Sequence, residues 1–329
     1  MLKKFKIDKI SLLGAGAIML AALFWSLDGI FIRPQFYTLP AALVVFLEHI
    51  LGFIFLSPFI ILNWRRIKML RPKDWGAVFW VCVFGGLLGT LMITKAFFAA
   101  IDGEVTFATV IILQKLQPIF ALIMARLILG ERLSRKFYVW AGVAIIAAYF
   151  LAFGKSGLHL SEINLFHHAA WFAILAAFAF GSSTVFGKRI VNHLDFKSTA
   201  ALRFGITSLL ALGLILINKD IFQINGLSIL HWKLLFLIVF TSGAGAIFIY
   251  YFGLKRITAS AATICELFWP FSAVVLDWAI NKNVLNSIEI AASLVLLFSF
   301  YKVIKVGKPR TINFSATAIS GRGRGQRLG

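Results

Sequence analysis

Long apolar runs recur along this chain, separated by short polar stretches rich in lysine and arginine. The runs cover residues 10–32, 40–62, 75–99, 105–129, 137–153, 168–188, 198–217, 232–254, 258–280 and 285–304. A helix rising ~1.5 Å per residue needs about 20 residues to cross ~30 Å of hydrocarbon. All ten runs approach or exceed that length, with 137–153 the shortest. They are continuously apolar, whereas barrel strands alternate, so the pattern predicts helices. The expected fold is an all-α polytopic membrane protein with ten transmembrane helices.

A repeat underlies the pattern. The stretch TFATVIILQKLQPIFALIMARLILGERL from Thr106 lies without a gap over TASAATICELFWPFSAVVLDWAINKNVL from Thr258. Thr106 meets Thr258, Ile112 meets Ile264, Pro118 meets Pro270 and Leu133 meets Leu285. Earlier, LAALFWSLDGIFIR from Leu20 matches LAAFAFGSSTVFGK from Leu175, and the same offset carries Glu48 onto Arg203 and Lys95 onto Tyr250. Each half then has five helices. An odd number makes the second half enter the membrane upside down, so the halves are expected to be inverted repeats. The expected division is a tail at 1–9, a first repeat at 10–153, a linker at 154–167, a second repeat at 168–304 and a basic tail at 305–329.

Charge fixes the expected orientation. Of the 33 basic residues, 24 fall in the tails and in the loops after helices 2, 4, 6 and 8. The opposite loops hold Arg33, Lys155, Lys219 and Lys282. Cytoplasmic loops carry the excess of lysine and arginine, so both termini are expected in the cytoplasm. Composition agrees: 60% of residues are hydrophobic, 14% are charged and the mean hydropathy is +0.90. A net charge of +20 would point to nucleic acid in a soluble chain. Here topology accounts for it, and no nucleic acid is expected. Cys82 and Cys265 lie in apolar runs and form neither a disulfide framework nor a metal motif. No cofactor motif and no metal-binding spacing occurs, and the oligomeric state is left open.

The run Gln114-Lys115-Leu116-Gln117-Pro118, with Leu129-Gly130-Glu131-Arg132 closing the same helix, resembles the EamA-type families of the drug/metabolite transporter superfamily. The resemblance covers residues 10–305 and departs at Asn281-Lys282-Asn283, where a second Leu-Gly-Glu is expected. It implies a secondary transporter that exports a small organic solute, a metabolite or amino acid, by alternating access through a central cavity between the repeats. The implied location is a bacterial inner (cell) membrane.

Depth selects the candidate site residues. An ionised group near the bilayer centre costs about 2.5–3.5 kcal/mol even on insertion scales, so such groups mark function or paired burial. Glu48, Lys115, Arg203 and Glu266 lie deepest, on helices 2, 4, 7 and 9. They are expected to form one central group of zero net charge, with Lys115 and Arg203 attracting an anionic part of the solute and Glu266, or in second place Glu48, holding a proton or the lysine when the site is empty. Asp28, Lys95, Arg126, Lys233 and Asp277 sit nearer helix ends and are expected to anchor at the interface. Trp25, Gln114, Tyr250 and Trp269 are expected on the cavity wall. Pro118 and Pro270 are expected to bend helices 4 and 9 as gates, because proline deletes a helical hydrogen bond and crowds the carbonyl four residues earlier. Two other readings use the same residues: a membrane-embedded enzyme acting on a lipid-linked substrate with Glu48 or Glu266 as base, and a scaffold that transports nothing.

Overall fold

The computed structural model describes residues 9–153, 167–282 and 284–307. The expected N-terminal tail up to residue 8, nearly all of the linker, Asn283, the C-terminal tail from residue 308 and the Asp277 side chain lie outside the described residues.

All regular structure among the described residues is helical. In chain order the main helices are α1 (Lys9–Phe36), α2 (Ala41–Leu56), α3 (Pro72–Ile101), α4 (Phe107–Gln114 and Gln117–Ile128), α5 (Arg135–Phe153), α6 (His168–His193), α7 (Phe196–Ile217), α8 (Ile229–Phe240 and Ala244–Leu254), α9 (Ala259–Cys265 and Phe268–Asn281) and α10 (Ser287–Val306). Among the described residues, nine are long and apolar enough to cross a membrane, while α2 is a shorter apolar helix of 16 residues. The second run was expected to continue to residue 62. It turns at Ser57 because Pro58 has no N–H to donate, and a separate short helix, Pro58–Leu62, follows.

Local chemistry explains where the helices begin. The matched threonines cap their helices identically: Thr106 Oγ1 accepts from Thr109 N–H and Thr258 Oγ1 from Ala261 N–H, each at 3.1 Å. Asp195 caps α7 through the N–H groups of Lys197 and Ser198, and Asn286 with Glu289 forms a capping box on α10.

The helices pack in matched pairs. α1 lies along α8 as α6 lies along α3, and α4 contacts α6 as α9 contacts α1. The pairs α2–α7, α5–α10 and α4–α9 map onto themselves under the same exchange. Small residues permit the closest approaches. A Cβ on Gly85 would collide with Ser183 of α6, and one on Gly86 with Thr207 of α7. Where α1 crosses α8 the backbones touch: a Cβ on Gly253 would sit 2.6 Å from the Gly14 carbonyl oxygen. Without a solvent-driven hydrophobic term between helices, such contact is a main source of adhesion in lipid.

Four helices are interrupted near mid-length. α3 widens to a π-helix over Val81–Leu88, and α8 breaks at Thr241–Gly243. α4 breaks at Lys115-Leu116 and α9 at Glu266-Leu267. The last two breaks follow from proline. Pro118 crowds the carbonyl of Gln114, where the first piece of α4 ends, and Pro270 crowds that of Glu266, one residue past the first piece of α9. Neighbouring side chains must then satisfy the freed backbone.

Candidate functional site

The interrupted helices surround a cavity of about 170 Å³ with a mainly apolar wall and a few charged and polar groups, room for on the order of ten waters. All eight residues expected at the site from the sequence line it: Trp25, Glu48, Gln114, Lys115, Arg203, Tyr250, Glu266 and Trp269. Pro118 and Pro270 do not. They sit just beyond the two breaks that place Lys115 and Glu266.

Glu266 is the most elaborately held group. Its Oε1 accepts from Tyr250 Oη at 2.8 Å and from Thr184 Oγ1 at 3.3 Å. Its Oε2 accepts from Gln117 Nε2, and the Gln117 Oε1 accepts in turn from Gln114 Nε2 at 2.8 Å. One hydrogen-bonded chain therefore joins α4, α6, α8 and α9. The Tyr250 ring also lies 5.4 Å from that of Trp25, whose indole donates to the Ser242 carbonyl at 2.9 Å. That carbonyl sits in the break of α8, so Trp25 caps unwound backbone.

Lys115 and Arg203 are placed differently. Lys115 Nζ stands 4.5 Å from the Trp269 ring centroid, a cation–π contact. Arg203 Nη2 donates to the Gly85 carbonyl of the π-segment at 2.6 Å, and Nη1 to Tyr251 Oη at 3.4 Å. Its Nε is buried with no hydrogen-bond partner among the described residues.

The expectation of one four-residue charged group is corrected by an arginine assigned from sequence to an outer loop. Arg33 is buried between α1 and α2, with Nη2 2.6 Å from Asp28 Oδ2 and Nη1 2.9 Å from Glu48 Oε2. Glu48 is thus neutralised by Arg33 and not by its repeat mate Arg203. Asp28, expected at the interface, is buried in the same cluster. The cause is local: α1 widens through a π-turn at Asp28–Ile32, then tightens to a 3₁₀ turn at Arg33–Phe36 that holds Pro34 near its start. The turn sets residues five apart on one face, so Arg33 folds back over Asp28. Among the described residues no ion pair joins Lys115 to Glu266, so the expected lysine–glutamate contact is absent from this conformation. Counting Asp28 and Arg33, the cavity still carries three acids and three bases.

The cavity has a floor. The ends of the bundle that carry Lys9 and Gly307 lie on one side, since Gly14 meets Arg256 and Thr258 Oγ1 donates to the Gly307 carbonyl at 3.3 Å. Toward this terminal side, Ala121, Ala125, Val185, Tyr251, Leu254 and Ala259 are fully buried beneath Glu266 and Tyr250. Lining residues such as Phe97 and Val110 extend the cavity toward the opposite side.

Sequence reasoning missed Gln117, Thr184, Arg33 and Asp28 as site residues. Gln117 was within reach, being part of the same Gln-Lys-Leu-Gln-Pro run. Away from the cavity, Glu104, His167 and His168 bring one ligand atom each within 4.8 Å of one another. Both rings are in use there: His168 Nε2 meets Glu104 Oε2 at 3.1 Å, and His167 Nδ1 caps Ala169 N–H at 3.3 Å.

Comparison with known proteins places this architecture. The profile described as the EamA-like transporter family matches residues 12–153 and again 167–304. Riboflavin transporter ImpX of Fusobacterium nucleatum subsp. nucleatum is 40% identical over 301 residues, 89% of this chain and 98% of the relative. Protein LicB of Haemophilus influenzae is 26% identical over 284 residues, 84% of this chain and 92% of its own. A crystal structure superimposes with a TM-score of 0.64 at 14% identity, covering 92% of this chain and 99% of that one, and so supports the fold alone. With both halves of the chain matched and a relative this similar along its length, the protein belongs to the EamA-like transporter family.

Proposed function

We propose that this membrane transporter carries riboflavin, or a solute of the same flat, uncharged, polyhydroxylated class, by alternating access between two inverted five-helix halves. The cavity at the helix breaks, mainly apolar with charged and polar groups set into its wall and packed shut on the terminal side, carries the reading; the 40% identical riboflavin transporter supplies the solute class. The chemistry fits. Trp25 and Trp269 offer ring faces to a fused heteroaromatic system. Gln114, Lys115 and Glu266 offer donors and acceptors to ring amides and chain hydroxyls. A cavity holding equal numbers of acids and bases suits a neutral solute better than an amino acid, whose two charges would each need a freed partner. A scaffold has no need of such a cavity.

Inversion draws support from the start of α6, which contacts Glu104 on the side away from Lys9. Helices α1 and α6 would then cross in opposite senses, giving ten membrane elements with α2 as the shortest. Reporter fusions after residue 157 are expected to read as extracytoplasmic and those after 194 as cytoplasmic. The reverse at either point would remove the inverted arrangement.

Glu266 is the proposed proton carrier, since it lines the cavity and its oxygens meet three donors from other helices. Direction is set by gradients, because a cavity that faces each side in turn binds from whichever side holds more solute. The expression test is direct. In a riboflavin auxotroph without its own uptake system, the protein should restore growth on low riboflavin and accumulate labelled riboflavin. Absence of riboflavin flux, with efflux of an amino acid instead, would replace this solute by the one the family resemblance favoured.

A further inference from the structure

The Leu129-Gly130-Glu131 end of α4 has a task that the cavity does not explain. Gly130 adopts φ +65°, the left-handed region where glycine is unstrained, and turns the chain so that Glu131 N–H bonds back to the Ala125 carbonyl at 3.2 Å. The Glu131 side chain is then buried although it is a carboxylate at a helix end. Both oxygens are occupied by the start of α9. Oε1 accepts from Ala259 N–H at 2.8 Å, and Oε2 accepts from Ser260 N–H at 3.0 Å and from Ser260 Oγ at 2.6 Å. With Thr258 capping Ala261, the opening N–H groups of α9 are all satisfied. An anion at a helix start is favoured by the helix dipole as well as by charge-assisted hydrogen bonds.

The short piece Ala259–Cys265 is thereby tied at both ends to the second piece of α4. Glu131 holds its start, and Gln117 holds Glu266 just past its end. Between these ties Ala121 and Ala125 pack with Val185 and Ala259 to form the cavity floor. Opening the cavity to the terminal side requires these two pieces to part. At the position of the second repeat that corresponds to Glu131 the sequence has Asn283, which carries no charge.

We infer that Glu131 is a positioning residue of the transport cycle: its carboxylate latches α9 to α4 on the terminal side, keeps that side closed, and holds Glu266 at the cavity. The inference rests on the transport reading, but not on the identity of the solute. The latch is one-sided, so the conformation closed toward the termini is the resting one. Loss of the latch should shift the equilibrium between the two cavity orientations, not abolish the site.

The test uses full-length protein in membrane vesicles of known orientation, without solute, with Cys82 and Cys265 replaced by alanine. Ala125→Cys reports the floor and Ile93→Cys reports the cavity wall on the other side. Adding Glu131→Gln should raise modification of the Ala125→Cys reporter from the terminal side by about tenfold, as a shift of ~1.4 kcal/mol between two states gives. Modification at Ile93→Cys from the opposite side should stay within about twofold, because the major state barely changes. Ser260→Ala, which removes one of the three contacts, should give a smaller rise at Ala125→Cys. Unchanged Ala125→Cys labelling in Glu131→Gln would overturn the latch. So would a rise at both reporters from both sides, which marks general loosening. Riboflavin flux is measured separately, so failure of the solute assignment leaves this result readable.

Discussion

Arg33→Met is expected to deplete the protein from the membrane. The substitution removes the cation between Asp28 and Glu48, whose carboxylates lie 2.6 and 2.9 Å from the guanidinium and are buried. Removing one partner of a buried ionic group costs roughly 3–5 kcal/mol, since the remaining charge keeps its desolvation penalty. Total stabilities are about 5–15 kcal/mol, so this is a large fraction. The triple change Asp28→Asn, Arg33→Met, Glu48→Gln leaves no uncompensated charge and should recover most of the abundance. Quantitative immunoblotting of membranes, with thermal unfolding of the purified variants, checks both halves. Normal abundance and melting of the single variant would mean that the cluster is solvated and carries no such strain.

Glu266→Gln is the second change with a large expected effect, and it should act on coupling. One proton carried per solute lets a pH difference of one unit sustain about a tenfold accumulation ratio. In proteoliposomes the parent protein should approach that ratio, while Glu266→Gln should equilibrate labelled riboflavin to a ratio near one and still exchange it. Glutamine preserves an acceptor for Tyr250 and Thr184 and keeps the side-chain volume, so insertion should be normal. If the variant still accumulates solute with the pH gradient, Glu266 is not the carrier. If it never reaches the membrane in normal amount, the residue is a structural tie between α4, α8 and α9.

Much of this arrangement was legible from pattern and depth. Apolar runs separated by basic loops mark helices because lipid leaves the backbone few other choices. Depth then singled out Glu48, Lys115, Arg203 and Glu266, and the cavity contains all four. Partner choice was not legible. Alignment of the repeats set Glu48 opposite Arg203, but it describes symmetry and not contact. Arg33 read as an outer loop residue because the first apolar run ends at residue 32, and only the π-turn at Asp28–Ile32 brings it inward. A register of five residues has no signature in a pattern built on 3.6. The prolines marked the breaks in α4 and α9 because their effect reaches a fixed four residues back. The Glu131 tie joins residues 128 apart, and no local pattern encodes it.

The backbone contact between Gly14 and Gly253 also has a mechanical meaning. Two helices touching carbonyl to Cα cannot slide along one another without lifting apart, yet they can roll about the point of contact. That point sits near the terminal end of α1, and Trp25 lies eleven residues further along the same unbroken α-helical stretch. At ~1.5 Å per residue the arm from fulcrum to indole is about 16 Å. A tilt of about 10° at the glycine crossing, which disturbs little there, sweeps the Trp25 ring by roughly 3 Å, close to the thickness of an aromatic ring.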